Sequence, residues 1–177
     1  MKSVFGKYVF LFSIAGVLIA LDQWTKNLVR ANLILGETWL PAGWDWLSPY
    51  ARIVHWYNAG AAFGMFQQGS SIFMVLAIVV ICAIIYYFPQ VELHDWTLRV
   101  AMSMQLAGAS GNLIDRFLFD GRVTDFISVG TFPVFNVADA SISVGTVILL
   151  LGVYLQERAL KKTQALESNR ASEVSSE

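Results

Sequence analysis

Polar side chains that could carry chemistry occur in short groups at the ends of long uncharged stretches of this sequence. Asp22 and Lys26 are four residues apart and would share one face of a helix. Asn136 and Asp139 are three residues apart. The remaining members of the set are Asn58, Asn112, Asp115, Arg116 and Asp125. Carboxylates, amides and cations in this combination could support acid–base chemistry.

A pair of aspartates is the catalytic device that this set of residues allows most directly. Two carboxylates that lie close together cannot easily both ionise, so one of them keeps a proton. The ionised carboxylate can activate a water molecule while the protonated one polarises a carbonyl group, which gives hydrolysis without a metal ion. Four acids compete for the two roles, and their spacing does not choose among them: Asp22, Asp115, Asp125 and Asp139.

Several of these residues also have a purely structural explanation. Asp139 could cap the start of a helix, where the helix dipole favours an acid. Asp22 with Lys26 is typical of an interfacial ion pair. Asp125 could be an ordinary acid of a loop, and Arg116 could simply anchor the end of its helix. These interpretations stay open at the level of the residues.

Other catalytic devices fit the sequence poorly. One cysteine and two histidines leave too few ligands for a Cys/His zinc site, and a single cysteine excludes an internal disulfide. The sequence contains neither a Gly-x-Ser-x-Gly elbow nor a phosphate-binding Gly-x-x-x-x-Gly-Lys motif. A Ser–Lys dyad of Ser110 and Lys26 would require the two side chains to meet in space. Cys82 is interpreted as an inert apolar residue, and we expect no metal or cofactor.

The composition indicates that much of the surface faces a membrane. Hydrophobic residues make up 56% of the 177 residues and charged residues only 14%, whereas a soluble domain carries about 25% charged residues. Disorder is excluded for most of the chain, because it requires low hydrophobicity. Twelve Lys and Arg against 13 Asp and Glu provide no basic field for nucleic acid.

We predict an all-α membrane protein with four transmembrane helices, at about residues 8–28, 69–88, 96–114 and 139–156. Residues 1–162 would form a single four-helix domain. Residues 163–177 are polar and rich in Ser and Glu, which predicts a disordered cytoplasmic tail. The first span could also be a cleaved signal peptide, but three further spans favour a retained helix.

Basic residues predict the orientation of the spans. Lys2 and Lys7 precede the first span. An even number of spans places both termini on one side, and the excess of Lys and Arg near the termini marks that side as cytoplasmic. The polar groups then lie together on the outer side. The basic residues that follow the last span are Arg158, Lys161, Lys162 and Arg170.

An aromatic segment, residues 37–57, follows the first span and contains four tryptophans and two tyrosines. Side chains of this kind favour the headgroup layer of a bilayer. We predict an outer arm that lies at the membrane surface, in which short strands could form. It could be a static anchor or a mobile lid over a site at the same level.

Five segments, taken in order, resemble the sequence blocks of bacterial lipoprotein signal peptidase, also called signal peptidase II. The resemblance in layout covers residues 1–160, and five blocks in order are far more specific than any one of them. Ala107 stands where the family often has a second glycine, which should alter packing and not chemistry. The blocks are DQWTK (22–26), NAGAAFG (58–64), GASGNLIDR (108–116), VTDF (123–126) and FNVADA (135–140).

The resemblance implies an aspartic endopeptidase that removes the signal peptide from prolipoproteins, cleaving before a diacylglyceryl-modified cysteine. It implies Asp125 and Asp139 as the catalytic pair and a structural role for Asp115. The implied partners are the prolipoprotein, membrane lipids and the cyclic peptide inhibitor globomycin. The implied location is the bacterial cytoplasmic (inner) membrane, with the active site near the outer leaflet surface. Supporting or substrate-binding roles are implied for Asp22, Lys26, Asn58, Gly108, Asn112, Arg116 and Asn136.

Two other functions remain possible from the residues alone. A small four-helix cation channel or transporter could bind cations with the outer carboxylates, but it predicts acids along a pore, and the second and fourth spans have no interior charge. A non-enzymatic membrane assembly factor would not require one particular pair of aspartates.

Overall fold

The computed structural model describes residues 4–60 and 69–174. Four helices account for most of these residues: α1 (Val4–Asn32), α2 (Ser70–Tyr87), α3 (Trp96–Leu118) and α4 (Val137–Val174). A short 3₁₀ turn, Phe88–Gln90, extends α2. The four predicted spans therefore coincide with four helices. Part of the block at 58–64 lies outside the described residues.

Three helical stretches of the described residues are long and apolar enough to cross a membrane: Val4–Asn32, Ser70–Gln90 and Val137–Arg158. In a bilayer each such helix satisfies its own backbone hydrogen bonds, which is why these apolar runs fold as helices. The third predicted span, α3, is more polar and packs against α1, α2 and α4. Its lower hydropathy fits a helix that is largely surrounded by the others.

Close packing of α3 depends on small residues. A Cβ atom on Gly108 would lie 2.4 Å from Cγ1 of Ile142 and 2.5 Å from the carbonyl oxygen of Ala138. A Cβ atom on Gly111 would lie 2.6 Å from Oδ2 of Asp22. Glycine at these positions lets the α3 backbone approach α4 and α1, as small residues do in membrane helix pairs.

A small antiparallel sheet covers one end of the bundle, in the order β1 (Thr38–Trp39), β2 (Ala51–Asn58), β3 (Val123–Val129). In the β2–β3 pair Trp56 lies opposite Asp125. Short strands were predicted within the arm, and β1 and β2 are there. Asp125, by contrast, was interpreted as a possible loop acid and lies instead on a strand, because β3 pairs with a segment more than 60 residues earlier in the chain.

The aromatic arm exposes its large side chains. Between β1 and β2 it forms one 3₁₀ turn, Asp45–Leu47. Trp44 is 51% exposed, Trp46 68% and Tyr50 67%. Exposed rings at this density fit contact with the headgroup layer.

The C-terminal segment differs from the sequence-based expectation of disorder. Helix α4 continues to Val174, through a run of good helix formers that includes Gln164, Ala165 and Leu166. Because these residues directly follow the last span, the helix is already nucleated and can propagate. Residues 175–177 lie outside the described part of the chain.

Candidate active site

The start of α4 holds Asp139 in a fixed position. The side-chain oxygen of Asn136 accepts a hydrogen bond from the backbone N–H of Asp139 at 2.9 Å. In return, Oδ2 of Asp139 accepts one from the backbone N–H of Asn136 at 3.2 Å. This reciprocal arrangement is a capping box, so the structural explanation of Asp139 as a helix-start acid is also correct. It still leaves Oδ1 of Asp139 for other partners.

Asp125 reaches the same place from β3. Its Oδ1 accepts a hydrogen bond from the amide of Asn136 at 2.7 Å, and its Oδ2 accepts one from the amide of Asn58 at 3.1 Å. Asn136 therefore contacts both aspartates, with its side-chain amide on Asp125 and its backbone N–H on Asp139. The side chain of Asp125 is only 2% exposed.

Asn112 of α3 completes the polar bridge. Its amide nitrogen donates to Oδ1 of Asp139 at 2.7 Å. Its oxygen accepts from Nζ of Lys26 and from the amide of Asn136, each at 3.1 Å. Because Lys26 can only donate, it fixes which end of the Asn112 amide faces Asp139.

A buried charged cluster lies behind this bridge and consists of Asp22, Lys26, Arg30 and Asp115. Nζ of Lys26 lies 2.8 Å from Asp22 and 3.5 Å from Asp115, and Arg30 lies 3.5 Å from Asp115. Lys26 and Asp115 are 0% exposed, and the side chain of Arg30 is 12% exposed. Two cations face two carboxylates, so the cluster is neutral as a whole.

Ion pairing separates the four candidate acids into two kinds. Asp22 and Asp115 each have a cation as partner. Asp125 and Asp139 have none among residues 4–60 and 69–174, and accept only from amides. Burial, followed by the nearby charge of Asp139, raises the pKa of Asp125 to about 7. An aspartate that keeps a proton near neutral pH is what a shared-proton pair requires.

A cavity of about 590 Å³ opens in front of the two aspartates. Asn58, Asn112 and Arg116 supply its polar wall beside Asp125 and Asp139. The remaining wall is mostly apolar, and an extended segment before α4 contributes much of it. These apolar lining residues include Phe73, Val123, Phe132, Pro133, Val134, Phe135 and Ile142.

Arg116 has donors to spare at this cavity. Its NH1 group makes a long hydrogen bond of 3.4 Å to the carbonyl oxygen of Asn112, and its guanidinium lies 5.5 Å from the centre of the Phe73 ring. Its buried Nε has no hydrogen-bond partner among the described residues. Because Arg116 lines the cavity, its guanidinium could donate to an oxygen that develops negative charge there.

The structure brings the predicted site residues together. Asp125, Asp139, Asn58, Asn112, Asn136 and Arg116 line the cavity or bridge the two acids, and Asp22 and Lys26 lie in the charged cluster behind them. Gly108 is a packing position of α3. The rival Ser–Lys dyad finds no support, since Nζ of Lys26 is occupied by two carboxylates and an amide oxygen.

Sequence reasoning missed three residues. Arg30 donates to Oγ1 of Thr124 at 2.7 Å, and Gln23 donates to both Asp22 and Asp115 at 3.1 Å. A signal for Arg30 was present, because residues 22, 26 and 30 repeat every four positions on one helix face. Nothing local in the sequence indicated Thr124.

No group of three or more His, Cys, Asp and Glu side chains that could hold a metal ion is found within the described residues. His55 lies buried on β2, where its Nδ1 contacts the carbonyl oxygen of Leu33 at 2.8 Å. His94 is 80% exposed and lies beside Glu92.

Comparisons with known proteins show to which family the chain is similar. The family model described as "Signal peptidase (SPase) II" matches residues 14–155. A lipoprotein signal peptidase of Halalkalibacterium halodurans is 37% identical over 155 residues, covering 85% of this chain and 96% of its own. One of Enterococcus faecalis is 34% identical over 158 residues, covering 87% and 93%.

Solved structures agree as well. A bacterial membrane enzyme solved by the in meso method at 2.3 Å resolution is similar with a TM-score of 0.75 and 28% identity, covering 83% of this chain and 88% of the other. A second, at 1.9 Å, gives a TM-score of 0.70 and 29% identity, covering 81% and 91%. With the family model extending over most of the chain, this protein belongs to the signal peptidase II family, the lipoprotein signal peptidases.

Proposed function

We propose that the protein removes signal peptides from prolipoproteins as an aspartic endopeptidase, with Asp125 and Asp139 as the catalytic pair. The observation that carries this proposal is the different pairing of the four candidate acids. Asp22 and Asp115 are neutralised by Lys26 and Arg30. Asp125 and Asp139 lie on a cavity without a cation partner among the described residues, bridged by Asn136.

The two aspartates are proposed to act as general base and general acid. Asp139 lies in the first turn of α4, where the helix dipole and the N–H of Asn136 favour its negative charge. It would take a proton from the attacking water. Asp125, with its raised pKa of about 7, would hold a proton and donate it to the carbonyl oxygen. The leaving amine then receives from Asp139 the proton that was taken from water, and Asp125 recovers its proton from the tetrahedral hydroxyl group as the peptide C–N bond breaks.

Arg116 is the proposed donor for the oxyanion. Asn112 was an alternative, but its amide nitrogen already donates to Asp139 at 2.7 Å. Arg116 lines the same cavity. Its positive charge would stabilise the negative charge that develops on the carbonyl oxygen as water attacks, before the proton from Asp125 is fully transferred.

The cavity suits the proposed substrate. Its wall is mostly apolar, with a few polar groups gathered at the aspartates, as a site for an apolar peptide next to lipid requires. The substrate class is a prolipoprotein cleaved before its diacylglyceryl-modified cysteine. It would enter laterally from the bilayer lipids, and globomycin would compete for the same cavity.

A cleavage assay tests the proposal directly. Purified protein in detergent, mixed with a diacylglyceryl-modified prolipoprotein and EDTA, should release a shorter product. Because two carboxylates and water suffice for the chemistry, chelation should not reduce the rate. An unmodified prolipoprotein is the control substrate and should remain intact. Activity that was lost in EDTA and restored by zinc alone would contradict the aspartic mechanism.

The proposed location is the bacterial cytoplasmic membrane, with both termini in the cytoplasm. Asp125 and Asp139 lie between the end of α3 and the first turn of α4, at the end of the bundle opposite the α2–α3 connection. Reporter fusions at residue 92 and after residue 162 should report the cytoplasm, since basic residues mark that side. Fusions near residues 45 and 121 should report the outside. A C-terminal fusion that reported the outside would contradict the proposed orientation and place the candidate active site on the cytoplasmic side.

The raised pKa of Asp125 predicts a pH-dependent difference in thermal stability. The carboxyl titrates near 3.8 when exposed in the unfolded chain and near 7 in the native protein. The native state therefore binds this proton more tightly, so the stabilisation is complete below 3.8 and is lost as the pH rises through 7. The side chain in Asp125→Asn cannot ionise, so the variant does not lose this stabilisation. The Tm of the variant minus the Tm of wild type, measured in detergent, should therefore increase from pH 4 to pH 8. A constant difference in Tm over this range would contradict the raised pKa.

A further inference from the structure

We propose that Arg30 is a positioning residue for the catalytic pair, acting on Asp125 through the hydroxyl group of Thr124. This inference rests on the proposed role of Asp125. Arg30 does not reach the cavity. Its NH1 group instead donates to Oγ1 of Thr124 at 2.7 Å, and Thr124 is the residue immediately before Asp125 on β3.

Every polar group of Thr124 contacts a residue of the charged cluster or of the bridge. Its backbone N–H donates to Oδ2 of Asp115 at 2.8 Å, and its hydroxyl accepts from Arg30. Its carbonyl oxygen accepts a longer hydrogen bond of 3.4 Å from the amide of Asn136. Thr124 is 0% exposed. A residue held at three points determines where the next residue of the strand lies.

Strand geometry transmits this position to Asp125. Neighbouring side chains on a strand point to opposite faces. Val123 and Asp125 line the cavity, whereas Thr124 points back towards the charged cluster. The hydrogen bond from Arg30 to the Thr124 side chain therefore helps to determine how far the carboxylate of Asp125 extends into the cavity. Displacement of a catalytic group by about 1 Å can cost up to about a hundredfold in rate.

Arg30 is itself held rigidly, as a positioning residue must be. Its NH2 group donates to Oδ1 of Asn27 at 2.6 Å, and its guanidinium carbon lies 4.4 Å from the centre of the Phe119 ring. Asp115 lies 3.5 Å from NH1. A planar guanidinium with partners at its edges and on its face has little freedom to rotate.

The experiment compares Thr124→Val with Thr124→Ser. Valine keeps the shape and the backbone N–H but removes Oγ1, whereas serine keeps Oγ1 and removes the methyl group. We expect Thr124→Val to lower kcat about tenfold with KM within about twofold of wild type, and Thr124→Ser to retain most of kcat. Loss of activity in both variants would assign the effect to packing of the methyl group and overturn the proposal. Full activity in both would also overturn it.

A double-mutant cycle joins the effect to Arg30. Arg30→Met and Thr124→Val should both lower kcat, and the double variant should be no worse than the poorer single variant, because both remove the hydrogen bond between Arg30 and Thr124. The other contacts of Arg30 are lost equally in Arg30→Met and in the double variant. Losses that multiply would show that the two residues act separately and would refute the proposal. Arg52→Met, which removes an exposed cation of β2, should leave kcat unchanged.

The controls separate this inference from the proposed function. If wild type fails to cleave the modified prolipoprotein, the proposed function is wrong. If wild type cleaves it and Thr124→Val cleaves it equally fast, only the positioning role is wrong. The Tm of each variant is measured in the same detergent, and a kcat loss that persists well below the Tm is required to support the proposal.

Discussion

Replacing Asp125 or Asp139 by asparagine is expected to lower the rate of prolipoprotein cleavage by about 10²- to 10⁴-fold, the range of general acid–base catalysis. Asparagine keeps the shape of the side chain and removes the titratable group. Neither acid makes an ion pair within the described residues, so no buried cation is left without its partner. Steady-state cleavage of the modified substrate, with band intensities followed over time, measures the loss.

The matched control is Asp120→Asn, an acid between α3 and β3 whose side chain is 96% exposed, and it should cleave at the wild-type rate. Each variant must also remain folded, which size-exclusion chromatography in detergent checks. A variant that kept more than about a tenth of the wild-type rate would have an activation free energy raised by less than about 1.4 kcal/mol, and the substituted residue would then not belong to the catalytic pair.

The second large effect concerns stability. Lys26→Met should destabilise the protein by about 3–5 kcal/mol, because it leaves the buried carboxylate of Asp22 without its cation. Asp22, which is 1% exposed, would then lie unpaired, and Asp115 would keep only the cation of Arg30, at 3.5 Å. Thermal unfolding in detergent should show a marked drop in Tm. The double variant Asp22→Asn/Lys26→Met should recover part of the loss, since it also removes the carboxylate charge that lost its cation.

A matched control exists within α4. Lys161 pairs with Glu157 at 2.6 Å with the same four-residue spacing, but its side chain is 71% exposed. Solvent screens that pair, so Lys161→Met should not measurably change the Tm. Equal decreases in Tm for Lys26→Met and Lys161→Met would mean that burial of the charged cluster does not increase its contribution to stability.

Local sequence patterns were sufficient to predict the four helices and the neighbourhood of the site. A long apolar run between polar ends determines a spanning helix almost by itself, since no other backbone arrangement satisfies hydrogen bonds in lipid. The spacing of Asn136 and Asp139 likewise placed both at the start of α4, where the structure shows a capping box. The resemblance to the family, and not the spacing, selected Asp125 and Asp139.

Non-local pairing explains what the sequence did not predict. The strand β3 exists because it pairs with β2, and two helices separate them in the chain. The cation that neutralises Asp115 comes from residues 85 or more positions away, Lys26 and Arg30. No window of sequence contains both partners, so which acids are paired and which are free becomes visible only in three dimensions.

The contacts of α1 have a consequence for the order in which the protein is made. Asp22 accepts a hydrogen bond at 2.9 Å from the backbone N–H of Ala138, 116 residues later in the chain. The ribosome synthesises the N-terminal helix first and the strand and helix that carry the two aspartates near the end. The nascent protein therefore has no assembled candidate active site while its earlier helices enter the bilayer. On the proposed mechanism, proteolytic activity arises only when the last helix docks against the first.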